Sequence, residues 1–273
     1  MPTSRPTRSP RRAADLVELP QPAPSPALLP VHRAIVGCTR CPRLRKYCAE
    51  IGRVKRAAFR NETYWTRPVP GFGDPDARVL VVGLAPAAHG ANRTGRNFTG
   101  DGVGGSGDFL MAAMHASGLA SLPTSRGIGD GLRLKDAYIA AAARCAPPDN
   151  KPTPAELMRC RPHLEAEWAL LSRVSVVVCL GRIAYDICWQ ILEARGMRLP
   201  RPRPAFAHGQ VVSIPGGPSM IAAYHPSRQN TNTGRLTPEM LASVFRAATS
   251  LIETGSGWVS GIENHPDPNF GTI

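Results

Sequence analysis

The sequence predicts an α/β fold, a three-layer sandwich with a mostly parallel central sheet flanked by helices. Two observations carry that prediction. Four short apolar runs are continuous rather than alternating, the pattern of strands covered on both faces, and each is followed by turn residues. Between them lie segments with apolar residues at helical spacing. Such β-α alternation closes most simply as a parallel sheet with helices on both sides.

Taken in chain order, the first 30 residues hold eight prolines and four arginines with scarcely an apolar run. They bury too little surface to offset chain entropy and are expected to form a disordered basic tail. The apolar centre of a secretory signal is missing, and the prolines oppose the amphipathic helix of a transit peptide. RVLVVG at 78–83 is the first strand, and GDFLMAAMHASGL at 107–119 has helical periodicity. AYIAAAA at 137–143 reads as the second strand, although its alanines suit a helix equally well. Thr153, Pro154 and Glu156 spell an N-cap, a first-turn proline and a capping-box acid, so a helix opens there. VSVVVCLG at 174–181 is the third strand, with a helix after it. SMIAAY at 219–224 is the fourth, with HGQVVSI at 208–214 as a hairpin partner. TPEMLASVFRAATSLIE repeats the Thr-Pro start at 237–238 and closes the fold, leaving 255–273 as a loose tail without periodicity. A single domain is thus expected over 31–254.

The apolar fraction of 42% is ordinary for a globular chain. No apolar run approaches the ~20 residues that cross a bilayer, so no membrane association is expected. The net charge is +13, and 29 of the 33 basic side chains are arginine. Guanidinium binds phosphate bidentately, which points to nucleic acid, although a GC-rich coding bias produces the same excess. The unusual residues all fall after strands: GLAPAAHG after the first, CAPPDN after the second, LGRIAY after the third and HPSRQN after the fourth. All four loops therefore meet at the carboxyl edge of the sheet, where open α/β folds place ligands.

Cys38 and Cys41 form a CTRC pair, and Cys145 and Cys160 are separated by a turn and a capped helix. Four soft ligands suit Zn or an iron–sulfur cluster, and spacing alone does not choose between them. The competing reading is four unrelated buried thiols. Cys48 is an alternative ligand, whereas Cys179 and Cys188 read as small apolar core residues. Seven thiols without a signal peptide imply a reducing compartment, the cytoplasm.

GLAPAAHGANRTGRNFTGD, CAPPDNKPTP and HPSRQNTNTGRLTP, taken with the cysteine pairs, resemble the uracil-DNA glycosylase superfamily, most closely its iron–sulfur family 5. The likeness runs from about residue 35 to 250. It implies a [4Fe–4S] cluster rather than zinc, held in a structural role. Better-known branches carry Asp, Asn or Glu in the turn after the first strand, where GLAPA offers only Leu84, Ala85 and Ala87. The likeness therefore assigns the carboxylate's duty to Asp101. It also implies a lesion range that extends from uracil to hypoxanthine, ethenocytosine and hydroxymethyluracil in double-stranded DNA.

Breaking an N-glycosidic bond develops positive charge on the sugar and negative charge on the departing base. Asp101 suits the first demand and His225, as a donor to the base, the second. The competing readings are a turn aspartate and a turn histidine. The base must leave the stack before it can react. Phe98 is then its platform and Asn150 its donor and acceptor partner, while a core Phe and an Asx-turn are the alternatives. Gly83, Ala85 and Ala87 let the main chain approach the base. Arg93, Arg96, Ser227, Arg228, Gln229 and Asn230 are candidates for DNA contact. Where related enzymes carry a leucine wedge, this chain has Arg228 and Gln229. His89 is left without a role. Only Lys151 lies near the site as an amine, so water is the expected nucleophile and strand cleavage is not expected. The expectation is a monomeric, monofunctional base-excision enzyme. The alternatives are a catalytically weak DNA-binding protein on the same scaffold, or a family 4 enzyme, whose first-turn acid is absent here.

Overall fold

The four apolar runs become the four inner strands of one six-stranded sheet in a computed structural model that describes residues 17–254. The strands are β1 (Phe72–Gly73), β2 (Val79–Gly83), β3 (Ala137–Ala141), β4 (Val176–Leu180), β5 (Val211–Val212) and β6 (Ser219–Ala223). They lie in the order β1-β3-β2-β4-β6-β5, with the inner four parallel and each edge strand antiparallel. The alanine-rich run is a strand because it pairs on both sides, with β2 and with β1, and is buried throughout. That pairing overrides its helix propensity. The two-residue β1 left no periodic signal to read.

The helices are α1 (Leu29–Val36), α2 (Pro42–Val54), the single turn α3 (Ala91–Thr94), α4 (Ser106–Ala116), α5 (Pro154–Leu170), α6 (Arg182–Ala194), α7 (Arg228–Asn232) and α8 (Pro238–Thr254). Strand side chains alternate between two cores, as the period of two demands. Leu80, Val82, Val177 and Cys179 pack against α5 and α6, with Cys188 among them. Val79, Val81, Val178 and Ile221 pack against α4 and α8. The sheet therefore has helices on both faces. Among the described residues no helix is long and apolar enough to cross a membrane.

Thr153 caps α5 through a complete capping box with Glu156, as the sequence indicated. Glu156 has a second partner: Arg43 at the start of α2 grips both its carboxylate oxygens, at 2.8 and 2.7 Å. The same acid thus ties the CTRC arm to the helix that carries Cys160. The N-terminal boundary also needs correcting. Leu28, placed within the expected tail, is 1% exposed and joins the core. Helix α1 likewise begins at Leu29, inside the expected tail; residues 1–16 of that tail, and the whole C-terminal one at 255–273, lie outside the described residues.

A polar knot that sequence patterning did not reveal locks the layers together. Glu167 accepts from Tyr138 Oη at 3.1 Å and from the Gly71 N–H at 2.8 Å, and it pairs with Arg144, all within the core. Burial pushes the Glu167 carboxyl upward, but Arg144 and His32 outweigh it and hold it at about 2. Three of these side chains come from α1, β3 and α5, so the knot fixes the N-terminal arm on the sheet.

Candidate active site

The strand order reverses at β2: its parallel neighbours β3 and β4 are added on opposite sides of it. Loops leaving their carboxyl ends diverge there and open a crevice. After the strands end, the Ala142 and Ala143 N–H groups donate to the Gly83 and Leu84 carbonyls, both at 2.9 Å. These bonds hold the β2 and β3 exits side by side. The cleft that results has a volume of about 720 Å³ and is lined by Ala85, Ala87, Phe98, Asp101, Asn150 and His225, among others. Three strand exits distant in sequence, those of β2, β3 and β6, therefore share one hollow, while the LGRIAY loop after β4 does not line it.

The small residues of GLAPAAHG do more than admit a ligand. A Cβ added at Gly90 would sit 1.7 Å from Asp101 Oδ1, and one at Gly83 would sit 2.7 Å from two ring atoms of Phe98. Both glycines clear space for the side chains of the site itself. Gly83, expected to touch substrate, stands behind Phe98 and does not line the cleft. At Gly181, from LGRIAY, a Cβ would come within 3.4 Å of His225 Cβ. That is ordinary contact, and glycine is needed at this position for its φ of +91°; His225, from the β6 exit, reaches toward Phe98. The two rings stand 5.7 Å apart at 31°. Phe98 holds a positive φ of 50°, a conformation of the kind that clusters at ligand clamps.

Asp101 is an acid under tension. Its Oδ1 is buried without a hydrogen-bond partner. Burial raises its pKa to about 6, opposed by the main chain at Gly107 and by Arg228 and Arg93. His225 shows the complementary shift, lowered to about 4 by burial, so its imidazole is neutral at physiological pH. Its backbone carbonyl accepts from Asn230 Nδ2 at 2.8 Å and from the Ser227 N–H at 2.7 Å. Asn230 therefore holds the histidine turn in place and does not line the cleft. Ser227 caps α7, accepting at Oγ from the Asn230 N–H, while Arg228 and Gln229 remain exposed on the rim.

Two expected DNA contacts are corrected. Arg96 is 4% exposed, and its guanidinium is spent on Asp130 at 2.6 Å, Ser125 at 2.9 Å and Thr99 at 3.0 Å. Burial raises Asp130, but Arg96 and three backbone N–H groups outweigh it and hold the acid at about 2. Arg93 donates to the His89 and Gly100 carbonyls at 2.9 and 2.7 Å, pairs with Glu62, and stacks over Phe59 at 3.9 Å. Both arginines brace the loop between β2 and α4 and leave no face free for phosphate. We therefore expect Arg96→Ala to cost about 2 kcal/mol of stability in a urea melt, the scale of lost hydrogen bonds to a charged group. The same change should leave the salt slope of DNA binding unaltered, because no phosphate partner is removed.

Tyr47, Arg56 and Phe59 also line the cleft, a contribution from the N-terminal arm that the sequence analysis missed. Its only sign was an aromatic, Tyr47, on an otherwise basic helix between the cysteine pairs. His89 stands in the wall with Nδ1 3.0 Å from Tyr64 Oη. Asn150 and Asp149 both adopt left-handed backbone, φ 56° and 53°, and project from an exposed turn at the cleft edge.

Beside α2, Cys38, Cys41, Cys145 and Cys160 line one small hollow together with Arg144 and His163. Among the described residues no group of three or more His, Cys, Asp or Glu is arranged as a site for a single metal ion. The hollow nonetheless has one property that fits a sulfur-bridged anionic cluster, a set of buried donors: Arg144 Nε and Nη1 and His163 Nε2 are buried there without partners. Burial pushes the Cys160 thiol up to about 12. Cys48, the alternative ligand, instead donates to the Ala146 carbonyl at 3.6 Å and stays out of the hollow.

With this geometry in hand, comparison with known proteins adds the lineage. Residues 70–249 match the family model described as the uracil DNA glycosylase superfamily. A type-5 uracil-DNA glycosylase of Mycobacterium leprae is 51% identical over 215 residues, 78% of this chain and 91% of the relative. One from Thermus thermophilus is 51% identical over 219 residues, 80% of this chain and 95% of the relative. A type-4 uracil-DNA glycosylase of Archaeoglobus fulgidus is 30% identical over 167 residues, 59% of this chain and 71% of the relative.

Proposed function

The chain belongs to the uracil-DNA glycosylase superfamily, on its type-5 branch, and from that premise we propose that it is a monofunctional DNA glycosylase. It removes uracil, and by extension hypoxanthine, ethenocytosine and hydroxymethyluracil, from double-stranded DNA. The observation that carries this reading is the placing of Phe98, Asp101, Asn150 and His225 around one cleft. The flipped base rests on Phe98, and aromatic stacking of this kind is worth ~1–3 kcal/mol per base. Asn150 meets its polar edge. As the bond between C1′ and the base nitrogen breaks, its electron pair leaves with the base, and the His225 N–H stabilises the charge gathering on the base oxygen. Ionised Asp101 faces the developing positive charge on the sugar and holds the water whose oxygen bonds to C1′. The proton from that water passes to the carboxylate, and the products are an abasic site and the free base.

Arg56, Lys151 and Arg228 border the same cleft and suit the phosphates on either side of a flipped nucleotide. Lys151 is the amine nearest the site, yet its carbonyl is tied to Arg43 at 3.2 Å and its side chain is exposed. Water remains the nucleophile, and borohydride should trap no covalent complex. Cys38, Cys41, Cys145 and Cys160 would hold a [4Fe–4S] cluster, which supplies cross-linking of the α2 arm to the 145–160 segment and no step of the reaction. We expect purified protein to be brown, with visible absorbance and about four irons per chain. A colourless protein carrying zinc would replace the cluster with a zinc site. Such a chain would act as a monomer on DNA in a reducing compartment such as the cytoplasm. The direct test incubates a uracil-containing duplex with the protein and then with alkali. Scission at the uracil is the expected outcome, and tight binding without scission would favour a DNA-binding protein that has lost the activity.

A further inference from the structure

The cleft mouth carries an apolar side chain that neither the core nor the base pocket uses. Val103 is 85% exposed, the most exposed of the large hydrophobic residues in the described structure. An isolated apolar residue on a surface is ordinary; the way this one is mounted is not. The Gly105 N–H donates to the Gly102 carbonyl at 3.1 Å, closing a turn with Val103 at its tip. Gly104 takes φ +68° at the next position, and its N–H donates to Asp108 Oδ2 at 3.1 Å. Asp108 in turn pairs with Arg126 at 2.9 Å. The valine is thus held out on a braced turn.

Its position relative to the pocket is equally specific. Asp101 lies two residues before it, and Gly105 and Ser106 just after it line the cleft. A Cβ on Gly102 would come within 3.7 Å of the Arg228 guanidinium on the opposite lip. That lip bears only polar side chains, Arg228, Gln229 and Ser227. Extruding a base leaves a gap in the stack, and proteins that hold such a gap open insert an apolar side chain between base steps. Among the residues of the two lips, Val103 is the one of that kind.

We propose that Val103 is the wedge of this enzyme: it enters the duplex beside the target nucleotide while Arg228 neutralises the adjoining phosphate. The inference rests on the glycosylase reading above. It places the wedge on the same loop as Asp101, so that inserting the valine and seating the carboxylate are one docking event.

The test compares the parent with Val103→Ser and Val103→Leu on uracil in single-stranded DNA, opposite guanine and opposite adenine. Unstacking is easiest without a partner strand and easier at a mismatch than at a matched pair. Val103→Ser should therefore lower the rate on the adenine-paired duplex about tenfold relative to the single strand, with the guanine mismatch between them, and Val103→Leu should restore the duplex rate. A second readout needs no turnover. With 2-aminopurine beside an uncleavable 2′-fluoro-2′-deoxyuridine, the fluorescence rise on binding should shrink in Val103→Ser by the same order. If Val103→Ser holds the parent's ratio across the three substrates and its full fluorescence rise, Val103 is no wedge. If the parent itself releases no uracil from any substrate, the glycosylase reading fails instead, and the two failures are distinct.

Discussion

Asp101→Asn should lose about 10²- to 10³-fold in kcat/KM on a uracil duplex, the size of effect seen when one preorganised electrostatic group is removed from a water-poor site. The asparagine keeps the shape and removes the charge that faces the sugar. The same carboxylate sets the pH dependence. Its pKa is raised to about 6 from an ordinary 3.8, mainly by burial, and only the ionised form can stabilise a cation and accept a proton from water. Activity should therefore climb as pH rises through about 6 and level off above it. Stability should move the other way. A folded-state pKa above the unfolded one contributes stability that is fully present below pH 3.8 and is lost as pH rises through about 6. At pH 8 the parent carries a buried carboxylate with an unpartnered Oδ1, a cost that asparagine lacks. Thermal melts should place Asp101→Asn above the parent at pH 8, with the gap closing near pH 4. A variant that keeps the parent's rate and its acid limb would remove Asp101 from the chemistry.

That opposition between activity and stability explains which parts of the site were legible in the sequence. Strand runs such as VSVVVCLG announce themselves because burial on both faces leaves no room for polar residues, and the order of the loops after them follows from chain direction alone. Asp101 was legible through the family likeness, as the first acid in a long loop whose opening turn offers none. The glycines were legible as small, but not for their purpose. Gly83 and Gly90 matter through which side chain each makes way for, and that depends on tertiary contacts that sequence spacing does not encode. The arginines misled for a related reason. Arg93 and Arg96 sit in a loop that sequence alone reads as solvated, yet their partners Glu62, Ser125 and Asp130 arrive from elsewhere in the chain. A cation without its partner in view looks like a phosphate ligand. The knot around Glu167 was invisible on the same grounds, since α1, β3 and α5 each contribute one member.

His225→Ala should cost a further 10²- to 10³-fold, through kcat rather than KM, because the hydrogen bond it removes strengthens only as charge gathers on the base. Burial lowers the pKa of His225 to about 4, so the donor is a neutral imidazole throughout the working range. Its loss should therefore leave no feature near the ordinary histidine pKa, and the acid limb set by Asp101 should survive in the variant. His225→Gln offers a neutral N–H from a different frame and should recover part of the rate, which a purely structural role for the ring would not allow. The two residues act on opposite ends of one breaking bond. Each draws its effect from the charge separation that the other helps to sustain, so the variant lacking both should lose less than the product of the two single losses. Single-turnover rates on uracil and hypoxanthine duplexes, with folding checked by melting, decide the matter. A His225→Ala protein that stays folded and releases both bases at the parent's rate would leave the departing base without a donor from this histidine.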